Sequence, residues 1–188
     1  SDKELKNVLD DIFMDDTVDL IEEMPASVVK RILRAQNSDD RKMINELLRY
    51  PEDSAGSIMT TEFVDLKENM TVEKAIEKIR NVGDDVESIY VCYVLTLTRQ
   101  LIGIVSLKDL IMANKVTLVK DIMDKNFIKV STLEEQEEVA KKFDKYDEIS
   151  LPVVDNEDRL VGIVTVDDAM DVMHEEMDED FEKMAAIT

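Results

Sequence analysis

Leu101-Ile102-Gly103-Ile104-Val105-Ser106-Leu107-Lys108-Asp109 and Leu160-Val161-Gly162-Ile163-Val164-Thr165-Val166-Asp167-Asp168 are two copies of one pattern, offset by 59 residues. Each begins as a β-branched run with a single glycine. Each then places Ser or Thr three residues before an Asp, the signature of a capped helix start. A strand feeding directly into a helix is therefore predicted twice. Working outward, Ser57-Ile58-Met59-Thr60 aligns with Asp121-Ile122-Met123-Asp124 at an offset of 64. Met70-Thr71-Val72-Glu73 likewise aligns with Ser131-Thr132-Leu133-Glu134, each before a helix-forming stretch. Each unit reads as Ile-Met, short strand, Thr-capped helix, strand, turn, strand, helix: β-α-β-β-α, written twice.

The second hairpin is clear. Leu151-Pro152-Val153-Val154 enters the turn Asp155-Asn156-Glu157-Asp158-Arg159 and leaves through Leu160 to Val164. The first turns at Thr96-Leu97-Thr98-Arg99-Gln100, which has no Gly, Asn or Asp to mark a turn type. Before the repeat, residues 1–50 read as short helices, with apolar residues at helical spacing (Leu5, Val8, Leu9, Ile12, Phe13) and a start signal at Pro25. Such short helices must stack on one another to bury their faces. Tyr50 to Gly56 reads as a linker. The fold class is α+β: a helical region over 1–54, repeat units over 55–118 and 119–173, and the continuation of an acidic helix over 174–188.

That helix is the most informative stretch for function. Between Asp167 and Glu182 stand nine acidic residues with no Lys or Arg among them. Val166, Met170, Met173, Met177, Phe181 and Met184 recur every three or four residues, the apolar stripe of one continuous helix. Asp167, Asp171, Glu175 and Glu179 step by four along another face. Like charges at that spacing destabilise a helix by about 0.2–0.5 kcal/mol per pair. A solvated face that keeps the chain soluble is one reading. A hard divalent cation shared between carboxylates, which relieves the repulsion, is the other. Oxygen donors without a His or Cys cluster favour Mg2+ or Ca2+ over Zn2+ or Cu2+.

Composition narrows the field further. The 188 residues carry 44 acidic against 23 basic side chains, a formal charge of -21. That argues against a nucleic-acid binder and against docking on anionic lipid. At 44% hydrophobic the chain can bury a core. Cys92, in an apolar run, reads as a small buried hydrophobe. His174 has no nearby nucleophile to serve, and one His with one Cys cannot build a structural zinc site. No phosphate loop of the GxxxxGK[ST] or GxGxxG type is present, so no enzyme is expected. No run approaches the ~20 apolar residues of a membrane span. Ser1 in place of Met reads as the end of an expressed or processed piece of a larger protein.

The paired units, opening on Ile-Met and closing on Gly-Ile-Val-[Ser/Thr]-x-x-Asp, resemble a tandem pair of CBS (cystathionine β-synthase) domains. Together with the helical region, the stretch Glu52 to Thr60 and the acidic tail, they resemble the cytosolic part of MgtE-type magnesium transporters, over essentially the whole chain. The resemblance implies a superhelical N domain, short here, a CBS pair that forms a homodimer, and a helix leading to a transmembrane pore domain. It implies Mg2+ sensing on the cytoplasmic side of the membrane. By similarity, the cation-contacting carboxylates fall on Glu137, Asp147, Asp168, Asp171, Glu179 and Asp180, and more loosely on Asp15, Asp16 and Asp19. CBS pairs also hold ATP or another adenine nucleotide. That role would fall to Ser106 and Thr165 toward phosphate and to Asp109 and Asp168 toward ribose. For Asp168 the alternative is a capping box with Thr165. The two function classes are thus a Mg2+-sensing regulatory region and a nucleotide-sensing CBS module of another protein. The dimer face is expected to include Ile76, Ile79, Leu110 and Ile111.

Overall fold

The computed structural model describes residues 49–187; the helices expected over residues 1–48, and with them Asp15, Asp16 and Asp19, lie outside the described residues. A short helix α1 (Ala55–Ile58) is followed by β1 (Phe63–Lys67), α2 (Val72–Val82), a 3-10 turn (Gly83–Asp85), β2 (Ser88–Leu95), β3 (Leu101–Ser106) and α3 (Leu107–Met112). The second unit repeats the order with α4 (Val119–Ile122), β4 (Val130–Ser131), α5 (Gln136–Tyr146), β5 (Ser150–Val154), β6 (Leu160–Thr165) and α6 (Val166–Ala186). The sheets are ordered β1-β2-β3 and β4-β5-β6. In each, the first pair is parallel and the second antiparallel.

Both hairpins bulge at the same place, leaving Leu95 opposite Leu101 and Val154 opposite Leu160. Their turns are also the same. In the second, Asp155 Oδ1 accepts the N–H groups of Glu157 (2.9 Å) and Arg159 (3.0 Å), and Asp158 takes the left-handed conformation at φ 59°. In the first, the Thr96 hydroxyl accepts the Gln100 N–H (3.1 Å) and Arg99 is left-handed at φ 65°. A threonine hydroxyl thus does part of the work of the aspartate. That is why the turn could form without the residues that usually announce one.

Packing does not follow the order of the repeat. Met59 opens the first unit, yet it is buried in the core of the second beside Val130, Val139, Phe143 and Val164. Met123 opens the second unit and packs on the first core with Val64, Val94 and Val105. Paired backbone hydrogen bonds lock each exchange: Thr60 with Ile163 (2.8 and 2.9 Å) and Asp124 with Ile104 (2.8 and 2.9 Å). Gly162 and Gly103 make room, since a Cβ there would lie 2.6 Å from the sulfur of Met59 or Met123. The stretch read as a linker is accordingly docked. Ser54, Ala55 and Gly56 are buried. The N–H groups of Ala55 and Gly56 donate to the Glu134 and Thr132 carbonyls, and Asp53 accepts from Gln136.

A third cluster joins the two sheets, built from Tyr93, Leu95, Leu101, Val154, Leu160 and Ile163. The Tyr93 hydroxyl is 2.7 Å from that of Ser150, and Phe63 meets the Tyr93 ring edge-on at 6.0 Å. The expected dimer face is corrected in part: Ile79 and Leu110 are core residues and Ile76 is half-buried against the same core. Their helices turn these positions inward to cover β1–β3. Ile111, Met112 and Val116 are the exposed apolar residues of that region.

Candidate cation-binding helix and groove

The site is built from α6 and from α5 packed beside it. The helix α6 starts where β6 ends, because the Thr165 hydroxyl accepts the Asp168 N–H at 3.4 Å. The same hydroxyl donates to Asp168 Oδ2 at 2.9 Å. Asp168 therefore folds back on the cap through the Thr165 hydroxyl. Its negative charge sits at the positive end of the helix. The helix continues for 21 residues, and only Ala169 and Val172 are buried along it. A neighbouring stripe is left open: Met170, Met173, Met177, Phe181 and Met184 are all exposed.

Asp171, Glu179 and Asp180 are exposed on α6. Glu179 is 3.6 Å from Lys183, the first basic residue after the acidic run. On α5, Glu137 is exposed and pairs with Lys141 at 3.1 Å. Asp147 ends that helix at φ 54°, ψ 40°, its N–H returning to the Phe143 carbonyl. It lines a cavity of about 340 Å3 between the helices, with Asp144, Glu148, Met170, Met173, His174 and Met177 on the walls.

The electrostatic focus is a residue the sequence reading did not single out. Glu176 is half-buried, and its carboxyl is pushed above the usual carboxylate range by lost solvation and by the charges of Glu137, Glu179 and Asp180, with Lys183 opposing. Negative charge is thus crowded where α6 passes α5. The signal in the sequence was the missing basic partner, but which carboxylate suffers most depends on how the helices pack. Glu137, Glu179 and Asp180 all act on the Glu176 carboxyl through their charge. Asp147 instead belongs to the groove, and Asp168 to its cap. Among the described residues no three His, Cys, Asp or Glu side chains converge tightly enough to hold a metal ion. The cleft candidates are both caps. Ser106 accepts the Asp109 N–H at 3.0 Å, while Thr165 accepts from and donates to Asp168. Cys92 is fully buried, and that burial pushes its thiol up to about 12, with Lys78 opposing. No described helix is long and apolar enough to cross a membrane.

Comparison with known proteins bears directly on this arrangement. Residues 55–115 and 119–175 match the CBS domain model, and residues 1–53 match the MgtE intracellular N domain. The chain belongs to the MgtE family. It is 40% identical over 172 residues to the magnesium transporter MgtE of Bacillus subtilis, covering 92% of this chain and 38% of that protein. It is 46% identical over 147 residues to the Thermus thermophilus transporter of the same name, covering 78% of this chain and 33% of that one. The chain thus spans between a third and two fifths of these MgtE relatives. It superposes on the soluble part of a magnesium transporter with a TM-score of 0.87 at 40% identity, over 89% of this chain and 66% of that one. On the cytosolic domain of the Mg2+ channel MgtE in complex with ATP the TM-score is 0.85 at 42% identity, over 89% and 69%. In the MgtE family this chain corresponds to the region solved apart from the membrane, an N domain followed by a CBS pair.

Proposed function

We propose that this chain is the cytosolic regulatory region of a magnesium transporter or channel. It senses Mg2+ through its carboxylates, compacts as a homodimer when the ion is bound, and so holds the attached pore shut. The carrying observation is the run of nine acidic residues from Asp167 to Glu182 on α6, uninterrupted by Lys or Arg and packed beside α5; at Glu176, lost solvation first and then the charges of Glu137, Glu179 and Asp180 hold the carboxyl above its usual range. A divalent cation relieves that crowding, and relatives that carry the same domains are magnesium transporters. No catalytic role is proposed.

The donor set fits Mg2+. This ion keeps several of its waters and takes one or two carboxylates from the protein, so it does not require a cage of three. Glu137, Asp147, Asp168, Asp171, Glu179 and Asp180 would supply such contacts. Their shells would be completed by the N domain, with Asp15, Asp16 and Asp19 as candidates, or by a second copy. Residues 1–63 themselves carry 15 acidic against 8 basic residues, so without cations the N domain and the CBS pair repel. Ions that bind the compact arrangement better than the open one shift the population toward it, by no more than that difference in affinity. When Mg2+ falls, α6 is released and the pore is free to open. The exposed residues Ile111 and Met112, with Met170 and Met173 on α6, are the apolar surface offered to a dimer mate.

Limited proteolysis across a Mg2+ titration tests the reading. Asp168→Asn with Asp171→Asn should weaken the protection that Mg2+ gives and, in the full-length transporter, relieve its inhibition by cytosolic Mg2+. Wild-type Mg2+ dependence in both assays would remove these two residues from the sensor. Small-angle scattering should show a smaller radius of gyration in Mg2+ than in EDTA at equal ionic strength. Light scattering that finds only ~21.5 kDa particles at high concentration would rule out the homodimer.

A second reading, an adenine-nucleotide-sensing module, is favoured by the ATP complex of the 42% identical cytosolic domain. Ser106 and Asp109, with Thr165 and Asp168, are the residues proposed to meet the nucleotide. Calorimetry with ATP in Mg2+-free buffer separates the readings, since Asp171→Asn should leave nucleotide binding unchanged and Asp109→Ala should reduce it.

A further inference from the structure

The seat of residues 50–56 carries locks that its counterpart in the first unit lacks. At the repeat offset of 64, Asp53, Ala55 and Gly56 correspond to Thr117, Val119 and Lys120, and the backbone bonds match one for one. Ala55 and Gly56 donate to the Glu134 and Thr132 carbonyls at 2.8 and 2.9 Å, and the Asp53 carbonyl accepts the Gln136 N–H at 2.7 Å. In the first unit, Val119 and Lys120 donate to the Met70 and Glu68 carbonyls at 2.8 and 3.0 Å, and the Thr117 carbonyl accepts the Val72 N–H at 2.8 Å. Two side-chain contacts are then added on the second unit alone. The Gln136 amide donates to Asp53 Oδ1 at 3.2 Å, whereas Val72 has no side-chain donor to offer Thr117. The half-buried Tyr50 lays its ring on Gly56: a Cβ there would stand 2.3 Å from the Tyr50 Cγ and 2.6 Å from its Cδ1. Only glycine allows so close an approach. The residue in the place of Gly56 in the first unit is the exposed Lys120. Tyr50 also packs on the core that holds Val139, Ala140 and Phe143 of α5.

We propose that residues 50–56 are a clamp that ties the N domain to α5 of the second CBS unit, so that any swing of the N domain pivots before Tyr50. Chain order alone would make the N domain an extension of the first unit. The clamp makes it an appendage of the second. The helix α5 carries Glu137 in its first turn, ends at Asp147 and packs along α6. A shift of α5 against α6 is therefore handed to the N domain directly, and not lost in a slack tether. The proposal rests on the Mg2+ reading only for the cause of the swing; the clamp stands with or without the ion.

Amide hydrogen exchange on the whole chain, in EDTA and in Mg2+, tests it. Ala55, Gly56 and Gln136 should be protected in EDTA already, to the same order as Val119 and Val72 in the first unit. Protection that appears only with Mg2+ would make the segment a free hinge and overturn the clamp, and this readout needs no variant. Tyr50→Ala should speed exchange at Ala55 and Gly56 by roughly tenfold or more and leave Val119 and Lys120 unchanged. Gly56→Ala should loosen the same amides by displacing the ring. Combined with Tyr50→Ala it should add nothing, since the ring it would strike is gone and Ala suits a helix better than Gly. Additive losses from the two substitutions would show that the ring does not lie on Gly56. Tyr50→Ala should also raise the Mg2+ concentration needed for protection from proteolysis, and an unchanged midpoint would overturn the coupling. An unsubstituted chain without any Mg2+ response would instead sink the sensing reading, while exchange in EDTA still decides the clamp.

Discussion

The two CBS units are a controlled comparison inside one chain. Both end a strand on a hydroxyl residue that caps a helix, Ser106 for α3 and Thr165 for α6. The helix α3 stops after six residues, at Met112. Just beyond it, Asn114 accepts the Val116 N–H on its side chain and the Thr117 N–H on its carbonyl, turning the chain away. The second copy has Val172-Met173-His174-Glu175 in the corresponding region, with nothing to break a helix, and it runs on to Ala186. A shared fold thus acquires a specialised arm by the loss of one stop signal. The difference also shows where an unbroken acidic run can stand: a long solvent-facing helix has room for the nine acidic residues from Asp167 to Glu182.

The glycines at the exchange should break the symmetry most visibly. A Cβ at Gly162 would meet the sulfur of Met59 at 2.6 Å and the Thr60 carbonyl oxygen at 2.9 Å, so backbone must yield. At Gly103 the nearest atoms all belong to the Met123 side chain, which is only half-buried. Overpacking of this kind costs about 1–3 kcal/mol, and Gly162→Ala should lie at the upper end with Gly103→Ala at the lower. Denaturant unfolding of the two variants measures the gap. Equal losses would mean that both methionines are equally free to move.

The caps sharpen the comparison at smaller scale. Ser106→Ala should cost about 1 kcal/mol, the usual value of an N-cap. Thr165→Ala should cost more, because it also removes the donor that holds the Asp168 carboxylate at 2.9 Å. If the order is reversed in thermal melts, the Thr165–Asp168 bond adds nothing to α6.

The smallest difference lies at the hairpin tips. Desolvation pushes the Asp155 carboxyl up, but hydrogen bonds from the Arg159 and Glu157 N–H groups and from the Arg159 guanidinium outweigh it and hold the group below its usual value. A carboxylate with a depressed folded-state value stabilises above its ordinary range of about 4 and loses that contribution as pH falls through the folded value. The protection of the Glu157 and Arg159 amides, taken against the intrinsic exchange rate at each pH, should therefore fall on acidification below about pH 4. The first turn, built on the uncharged Thr96, should show no matching change. An identical acid response at both tips would show that Asp155 carries no special share.

Much of this architecture was legible in residues. Gly103 and Gly162, the Ser106 and Thr165 caps and the Met170–Met184 stripe all announce local structure, and local structure has a sequence period. What the repeat did not show was that Met59 and Met123 change places. Nothing in the surroundings of either residue distinguishes packing on one sheet from packing on its relative 59 residues away. Ile79 and Leu110 were misjudged for a related reason: apolar residues on a two-faced helix do not say which face meets the sheet. The candidate site was legible as charge and not as geometry. The run from Asp167 to Glu182 is visible at once, while the crowding at Glu176 depends on α5, some forty residues upstream, lying alongside.

The exchanged methionines also set a schedule for synthesis. Met59 leaves the ribosome long before Gly162, the glycine it must cover. At roughly 5–20 residues per second the wait is on the order of several seconds to twenty. Through that interval the core of the second unit does not exist, and the start of the first has no seat. Neither half can finish alone, so the nascent chain should remain sensitive to protease until β6 has emerged. Translation intermediates arrested before and after Thr165 would time the closure. A fold that closes only when both units exist is thus first gated by the length of its own chain.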